Sequence, residues 1–352
     1  MSEKQEPRTI DLDDLFRLKF LQGAQLSPDG KTVAYAVSHV EKDKANKEEE
    51  EKEYVTIWLL SLETGDARQL TAGLACDSSP QWSPDGTRIA FRSTRGGKPQ
   101  IYLIRVDGGE AQALTSLKQG VGSGPVWSPD GKSIAFTAGP AADPPKPGLP
   151  YRVTRHIYRF NMMGYLDSVV QDIYVISAEG GEPRQLTADD WQNAMPQWSP
   201  DGREILYNAF MAPDSHAAFL GRLRTVDLDG EVREITSDWG DVLSAAWTPD
   251  GEHIVFCGTP HGRPIGSKND LWVIDRPGGE PQCRTASLKL GVGGRLQSDM
   301  PALLEDLFVP RILVTEDGQQ AYIQMQDGGT VPVYRIRLAG AESSSEARPA
   351  SS

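Results

Sequence analysis

Cysteine is scarce in this 352-residue chain: Cys76, Cys257 and Cys283 have no short spacing and leave one thiol over, so the expectation is reduced cysteines and not a disulfide framework. Long apolar runs are missing as well, and none approaches the ~20 residues of a membrane-crossing helix. Met1 to Ile10 is polar and charged and lacks the apolar centre of a secretory signal, which points to the cytoplasm. Positive charge is in deficit: 49 acidic against 36 basic side chains give a formal net charge of −13, which argues against nucleic acid as a partner.

Catalytic signatures are absent too. No serine stands in Gly-x-Ser-x-Gly, the pattern of a nucleophile elbow; Ser123 lies in Gly122-Ser123-Gly124-Pro125, flanked two residues away by Val121 and Pro125. Gly291-Val292-Gly293-Gly294 has no Lys-Ser/Thr ending to make a phosphate cradle. His253, Cys257 and His261 lie close in sequence, but Cys257 belongs to an apolar strand pattern. Neither metal nor cofactor is expected. Asp227-Leu228-Asp229-Gly230 reads as a hairpin turn before it reads as half of a calcium loop, since it matches Asp107-Gly108 in another repeat.

What the chain does have is turn chemistry, with 35 glycines and 25 prolines. Ser-Pro-Asp-Gly or a close variant recurs at 26–30, 82–86, 127–131, 198–202, 247–251 and 314–318, and Trp82, Trp127, Trp198 and Trp247 precede four of the copies. Proline presets φ for a type I turn, Ser or Thr can accept a backbone hydrogen bond, and glycine takes the left-handed conformation that closes the hairpin. Each copy is followed by consecutive apolar residues, such as Ile89-Ala90-Phe91 or Ile134-Ala135-Phe136. That pattern predicts a strand covered on both faces.

A second motif follows each turn. It reads Ile-Tyr or Leu-Trp, then Gly-Gly-Glu, then Leu-Thr, as in Ile173-Tyr174, Gly180-Gly181-Glu182 and Arg184-Gln185-Leu186-Thr187. Two more strands joined by a tight turn are expected there, making about four per unit, the content of a propeller blade. The steps from Asp85 to Asp130 and from Asp201 to Asp250 suit one blade of about 40–50 residues. The steps from Asp29 to Asp85, Asp130 to Asp201 and Asp250 to Asp317 are longer and must hold insertions: the Lys/Glu run Glu41 to Glu53, the stretch Gly139 to Tyr165, and Gly258 to Ser267 with Ala286 to Pro310.

The predicted fold is all-β: a β-propeller over 1–338 with six recognisable four-stranded antiparallel blades, either six-bladed or an incomplete seven-bladed ring, and a disordered Ser/Ala-rich tail over 339–352. Thr9 to Phe20 reads either as a closing strand or as a helix. Six blades that do not close would leave two apolar faces exposed.

The repeat Trp-Ser-Pro-Asp-Gly-x-x-Ile-Ala-Phe with Ile-Tyr and Gly-Gly-Glu-x-x-x-Leu-Thr resembles the propeller repeat shared by TolB, tricorn protease and serine peptidases of the prolyl oligopeptidase family. Asp11-Leu12-Asp13-Asp14-Leu15-Phe16-Arg17-Leu18, leading to Gln25-Leu26-Ser27-Pro28-Asp29-Gly30, is similar to the opening of acylaminoacyl-peptidase-like members. Tyr158-Arg159 and Gly164-Tyr165 resemble a Tyr-Arg-x-Asp-Gly-x-Gly-Tyr pattern in which Asn161-Met162 replace Asp-Gly. The resemblance covers Asp11 to about Leu338. It implies a non-catalytic, substrate-gating propeller that acts in peptide hydrolysis only with an α/β-hydrolase domain, so that this truncated-looking chain is inactive alone. The partners it implies are an oligopeptide and a hydrolase domain in trans. The alternative is a stand-alone, TolB-like propeller that binds a protein or peptide. Tyr151, Arg152, Arg155, Tyr158, Arg159 and Tyr165 form the candidate substrate-gating loop, because arginines suit peptide carboxylates.

Overall fold

The computed structural model describes residues 17–42, 51–73, 75–139, 170–210, 221–261, 267–293 and 311–339, together with positions 11, 14, 159–160, 164–165 and 348–349. No α-helix occurs among them. The first sheet holds β1 (Phe20–Leu26), β2 (Thr32–Lys42), β3 (Glu51–Ser61) and β4 (Ala67–Gln69), and the second β5 (Asp77–Trp82), β6 (Arg88–Ser93), β7 (Gln100–Arg105) and β8 (Gln112–Ala113). In the third, β9 (Val126–Trp127) and β10 (Ser133–Ala138) are separated by a small hairpin, β11 (Arg159–Phe160) with β12 (Gly164–Tyr165), from β13 (Asp172–Ser177) and β14 (Arg184–Gln185). The fourth is β15 (Gln192–Trp198), β16 (Glu204–Phe210), β17 (Arg222–Asp227) and β18 (Val232–Glu234), and the fifth β19 (Gly240–Trp247), β20 (His253–Pro260), β21 (Asp270–Asp275) and β22 (Gln282–Cys283). The sixth is β23 (Ile312–Val314), β24 (Gln320–Gln324), β25 (Val333–Arg337) and β26 (Arg348–Pro349). All neighbours pair antiparallel, so the chain is a six-blade, four-stranded β-propeller. The C-terminal stretch thus adds two residues to the last sheet.

The turn motif works through its side chains. Ser27 Oγ donates to Asp29 Oδ1 at 2.6 Å and accepts the backbone N–H of Thr32 at 2.9 Å. The same clasp forms at Ser83 with Asp85 (2.6 Å), Ser128 with Asp130 (2.7 Å), Ser199 with Asp201 (2.6 Å), Thr248 with Asp250 (2.6 Å) and Thr315 with Asp317 (2.5 Å). Thr315 fills the serine place in the sixth copy, where Glu316 replaces proline. Glycine closes every clasp at φ between +67° (Gly318) and +72° (Gly30), a region that side-chain-bearing residues avoid.

The turns also stack from blade to blade. A Cβ placed on Gly86, Gly131, Gly202, Gly251 or Gly318 would lie 3.5–3.8 Å from the Cδ of the proline in the preceding turn. Tryptophans add a second tie: the indole N–H groups of Trp82, Trp127 and Trp198 donate to the carbonyls of Gln25, Gln81 and Val126 in the blade before, at 3.1, 3.2 and 3.0 Å. The recurrent Leu-Thr has a reason of its own. Thr71, Thr115, Thr187, Thr236 and Thr285 are buried, and each Oγ1 accepts the N–H of an apolar residue of the third strand, Ile57, Ile101, Ile173, Leu223 and Leu271 in turn, at 2.9–3.0 Å.

Burial follows the expected strand pattern. Residues 89–91, 134–138 and 205–209 are buried consecutively, because a sheet lies on both sides. Among the described residues, five core clusters fill the five seams between consecutive blades; one, for example, joins Ala34, Ile57 and Leu59 to Ile89, Phe91 and Tyr102.

Candidate functional site

Strand order sorts the connections onto two ends of the blades. The turn clasps and the Gly-Gly turns, such as Gly108-Gly109 and Gly180-Gly181, lie at one end. The second-to-third-strand connections and the passages between blades lie at the other. The insertions leave and re-enter there: 43–50, 140–171, 211–221 and 261–269 connect second to third strands, and 284–311 runs from the fifth blade to the sixth. One end of the propeller therefore carries all the long connections, and the candidate site belongs there.

The proposed gating loop is in the third-blade insertion. Tyr151, Arg152, Arg155 and Tyr158 lie outside the described residues. Arg159 and Tyr165 lie on the hairpin, where the register sets Arg159 opposite Tyr165 and Phe160 opposite Gly164.

The best-defined polar group at this end lies beside that insertion and was not picked out in the sequence. Asp172, at the start of β13, accepts from Thr187 Oγ1 at 2.9 Å, Gln185 Nε2 at 3.0 Å and Asn193 Nδ2 at 3.4 Å. Burial raises the Asp172 carboxyl above the ordinary carboxylate value, and the hydrogen bonds from Thr187 and Asn193 offset this only in part. Asn193 Oδ1 and Gln192 Oε1 are buried and without a hydrogen-bond partner, so polar capacity is left over beside this aspartate.

Next to it, two arginines stack on one indole. The guanidinium carbons of Arg224 and Arg222 lie 4.2 and 5.2 Å from the Trp191 ring centroid. Arg224 pairs with Asp189 at 3.2 Å and Glu234 at 3.7 Å; Arg222 pairs with Glu234 at 3.2 Å and also with Asp238. The charges are thus compensated, and the group offers a flat, cation-backed aromatic surface with carboxylates around it. Arg222, Arg224 and Trp191 are far enough apart in sequence that no motif announces them.

Further round the same end, Asp270 is fully buried and takes Lys268 Nζ and Thr285 Oγ1, each at 2.8 Å. Asp241 accepts the Gly221 N–H at 2.8 Å, and burial raises its carboxyl above the usual value. Asp77 holds Ser93 and Arg95 in the second blade. Three buried aspartates, Asp77, Asp172 and Asp270, and the half-buried Asp241 thus stand at this end in the second, third and fifth blades, each held by local donors.

Sequence features considered for chemistry take structural places. Asp227 accepts the N–H groups of Asp229 and Glu231 at 2.9 and 2.8 Å, which makes the segment the β17–β18 hairpin turn. Val292 is buried in the seam between the fifth and sixth blades, and its carbonyl faces Cys257 Sγ at 3.7 Å. Among the described residues no group of three or more His, Cys, Asp and Glu is placed to hold a metal. Cys76, Cys257 and Cys283 are free, and burial raises all three thiols above the ordinary cysteine value, away from nucleophile chemistry.

Comparison with known proteins agrees with this geometry. Residues 19–143 match the family model of the TolB beta propeller domain. An uncharacterized peptidase of Bacillus subtilis, YuxL, is 28% identical over 221 residues, which make up 60% of this chain and 33% of that peptidase. An acylaminoacyl peptidase solved in complex with Z-Gly-Gly-Phe-chloromethyl ketone superposes on 93% of this chain and 47% of its own, with a TM-score of 0.69 at 17% identity. The propeller domain of the trilobed protease from Pyrococcus furiosus, described as having an open velcro topology, covers 94% of this chain and 84% of its own, with a TM-score of 0.60 at 16% identity. The chain spans about half of the acylaminoacyl peptidase and about a third of the curated peptidase. The TolB-type match is thus to residues 19–143, and the structural neighbours of the propeller fold as a whole include acylaminoacyl peptidase.

Proposed function

We propose that this chain is the substrate-gating propeller of a serine oligopeptidase of the acylaminoacyl-peptidase type, selecting peptides by size and supplying no bond-breaking group of its own. The observation that carries the reading is the superposition of nearly the whole chain on about half of an acylaminoacyl peptidase. A rigid ring of packed blades over an active site passes a narrow, extended peptide and stops a folded protein, because widening the passage means breaking apolar seams. In this reading the partners are an oligopeptide and a hydrolase domain, and the working compartment is the cytoplasm. The arginines and tyrosines of the third-blade insertion, Arg152, Arg155 and Arg159 with Tyr151, Tyr158 and Tyr165, meet the peptide. The cation-backed face of Trp191 extends that surface.

The test is a chimera in which residues 19–338 replace the propeller of an acylaminoacyl peptidase. It is expected to cleave an acylated tripeptide while sparing a folded protein, and Arg155→Ala with Arg159→Ala should raise KM severalfold with the melting temperature unchanged. Digestion of the folded protein as fast as by the hydrolase half alone would overturn the reading. A second reading, a TolB-like propeller that binds a protein or peptide without any hydrolase, is favoured by the family-model match over residues 19–143. It wins if the chain alone binds peptide tightly while the chimera shows no change of selectivity.

A further inference from the structure

The threonine latch meets a different residue from blade to blade. Just before the latched N–H of the third strand stand Thr56, Gln100, Asp172, Arg222 and Asp270 in the first to fifth blades. Three of them, Gln100, Asp172 and Asp270, also accept the latch hydroxyl, at 2.7, 2.9 and 2.8 Å. The second blade thus uses a neutral amide where the third and fifth use a carboxylate.

The two carboxylates differ in what answers their charge. Lys268 Nζ donates to Asp270 Oδ1 at 2.8 Å and to the Thr285 carbonyl at 3.2 Å. In the third blade Val170 stands at the place of Lys268, and Gln185 Nε2 makes the corresponding bonds, to Asp172 Oδ2 at 3.0 Å and the Thr187 carbonyl at 2.9 Å. The bonds are kept and the positive charge is not. Among the described residues every donor that reaches Asp172 is neutral: the side chains of Thr187, Gln185 and Asn193 and the backbone N–H of Asp189.

The charged and titratable groups around Asp172 do not make up the difference. Asp189, on the passage to the fourth blade, adds a second negative charge and keeps Arg224 of β17 for itself at 3.2 Å, while Asp190 beside it is exposed. Burial raises the phenols of Tyr174 on β13 and Tyr207 on β16, so both stay neutral through the acid range. Asn193 of β15 is fully buried, with Nδ2 placed 2.9 Å from Asp189 Oδ1 and 3.4 Å from Asp172 Oδ1. Its Oδ1, on the same amide, has no hydrogen-bond partner. An O–H on Asp172 would find its acceptor there.

We infer that Asp172 is a proton-binding site: it takes one proton from solution, shares it with Asn193 Oδ1, and so clamps the seam between the third and fourth blades at the root of the third-blade insertion. The charged latch then becomes the neutral latch that Gln100 already provides. The clamp reaches the backbone, because the Asn193 N–H donates to the Gln171 carbonyl at 3.0 Å and ties β15 to the residue before Asp172. Burial, which raises the Asp172 carboxyl, gives the matching sign: the closed seam binds the proton better than an opened one, so opening becomes harder as pH falls through that raised value. The inference holds for either reading of the propeller's function.

The experiment is hydrogen exchange of the full chain, read by mass spectrometry from about pH 7.5 to about pH 4, with each rate corrected for the intrinsic pH dependence of amide exchange. Segments 172–187 and 192–198 are expected to open at least about threefold less often at the acid end, and segment 100–115, with its Gln100 latch, to stay unchanged. Asp172→Asn should show at neutral pH the protection that the parent reaches in acid, and should lose the response to pH. Third-blade protection that does not rise in acid overturns the inference, and so does an equal rise in the second blade or an Asp172→Asn protein that keeps the rise. The comparison of the two blades within the parent needs no variant, so it decides the matter even if Asp172→Asn does not fold.

Discussion

The turn end and the insertion end of the blades solve the same problem, holding short strands in register, in different ways. At the turn end one solution is copied six times: a hydroxyl, an aspartate and a glycine, with the aspartate next to solvent. Hydrogen bonds to the charged form hold Asp29, Asp85, Asp130, Asp250 and Asp317 below the usual carboxylate value, each led by the clasp Ser or Thr. At the insertion end only the threonine latch recurs, and its partner varies: Gln100 in the second blade, Asp172 in the third and Asp270 in the fifth. Burial dominates there and raises Asp172 and Asp241. A uniform and solvated end makes a scaffold. A varied end, partly unsatisfied inside, is where specificity can be built.

The comparison is broken most directly by removing one hydroxyl from each end. Thr187→Val strips Ile173 of its acceptor and Asp172 of its shortest donor inside the protein, so a loss of about 2–3 kcal/mol is expected in urea unfolding. Ser128→Ala should cost less, about 1–2 kcal/mol, because water can replace the hydroxyl at Asp130 while the Gly131 N–H still reaches the Ser128 carbonyl at 2.9 Å. Equal losses would show that the two ends do not differ in kind. Gly131→Ala sharpens the same contrast: space is adequate, with Pro84 at 3.5 Å, so the φ of +70° alone should set a loss of about 1 kcal/mol.

Acid separates the ends with the smallest effect. For Asp201 burial works against ionisation, but hydrogen bonds from Ser199 and Arg276 outweigh it and hold the carboxyl at about 2. Its folded value lies below the unfolded one of about 3.9, so its contribution is present above pH ~4 and is lost as pH falls toward 2. Asp172 has the opposite sign: its folded value is raised, so its ionisation penalises the fold at neutral pH and the penalty lifts as pH falls through that value. Asp201→Asn should therefore destabilise by no more than about 1 kcal/mol at pH 7, since the side chain is partly exposed, and by progressively less as pH falls through about 2. Asp172→Asn should flatten the stability profile on the acid side. Unfolding curves at a series of pH values check both signs.

Much of the fold was legible because a blade is a local object. The clasp spans a few residues, the Gly-Gly turn joins adjacent strands, and consecutive burial of Ile89-Ala90-Phe91 follows from two-sided packing. The sixth turn was harder to read, since Thr315-Glu316 replaces Ser-Pro. The site was less legible. Trp191, Arg222 and Arg224 meet across strands and a blade boundary, so neither spacing nor composition links them, and Asp172 looks in sequence like any residue before an Ile-Tyr strand. The loop Tyr151 to Tyr165 was chosen for its composition, and only the Arg159 to Tyr165 register is seen in the fold.

The sequence alone determined the blade, its turn chemistry, its number of copies and the places where insertions interrupt them, because all of these depend on interactions within some 40 residues. Tertiary structure alone decided that the insertions share one end and which carboxylates are buried there. Those outcomes depend on how separate sheets stack and on how much water reaches each group. Burial and stacking are properties of the packed ring and not of any one repeat.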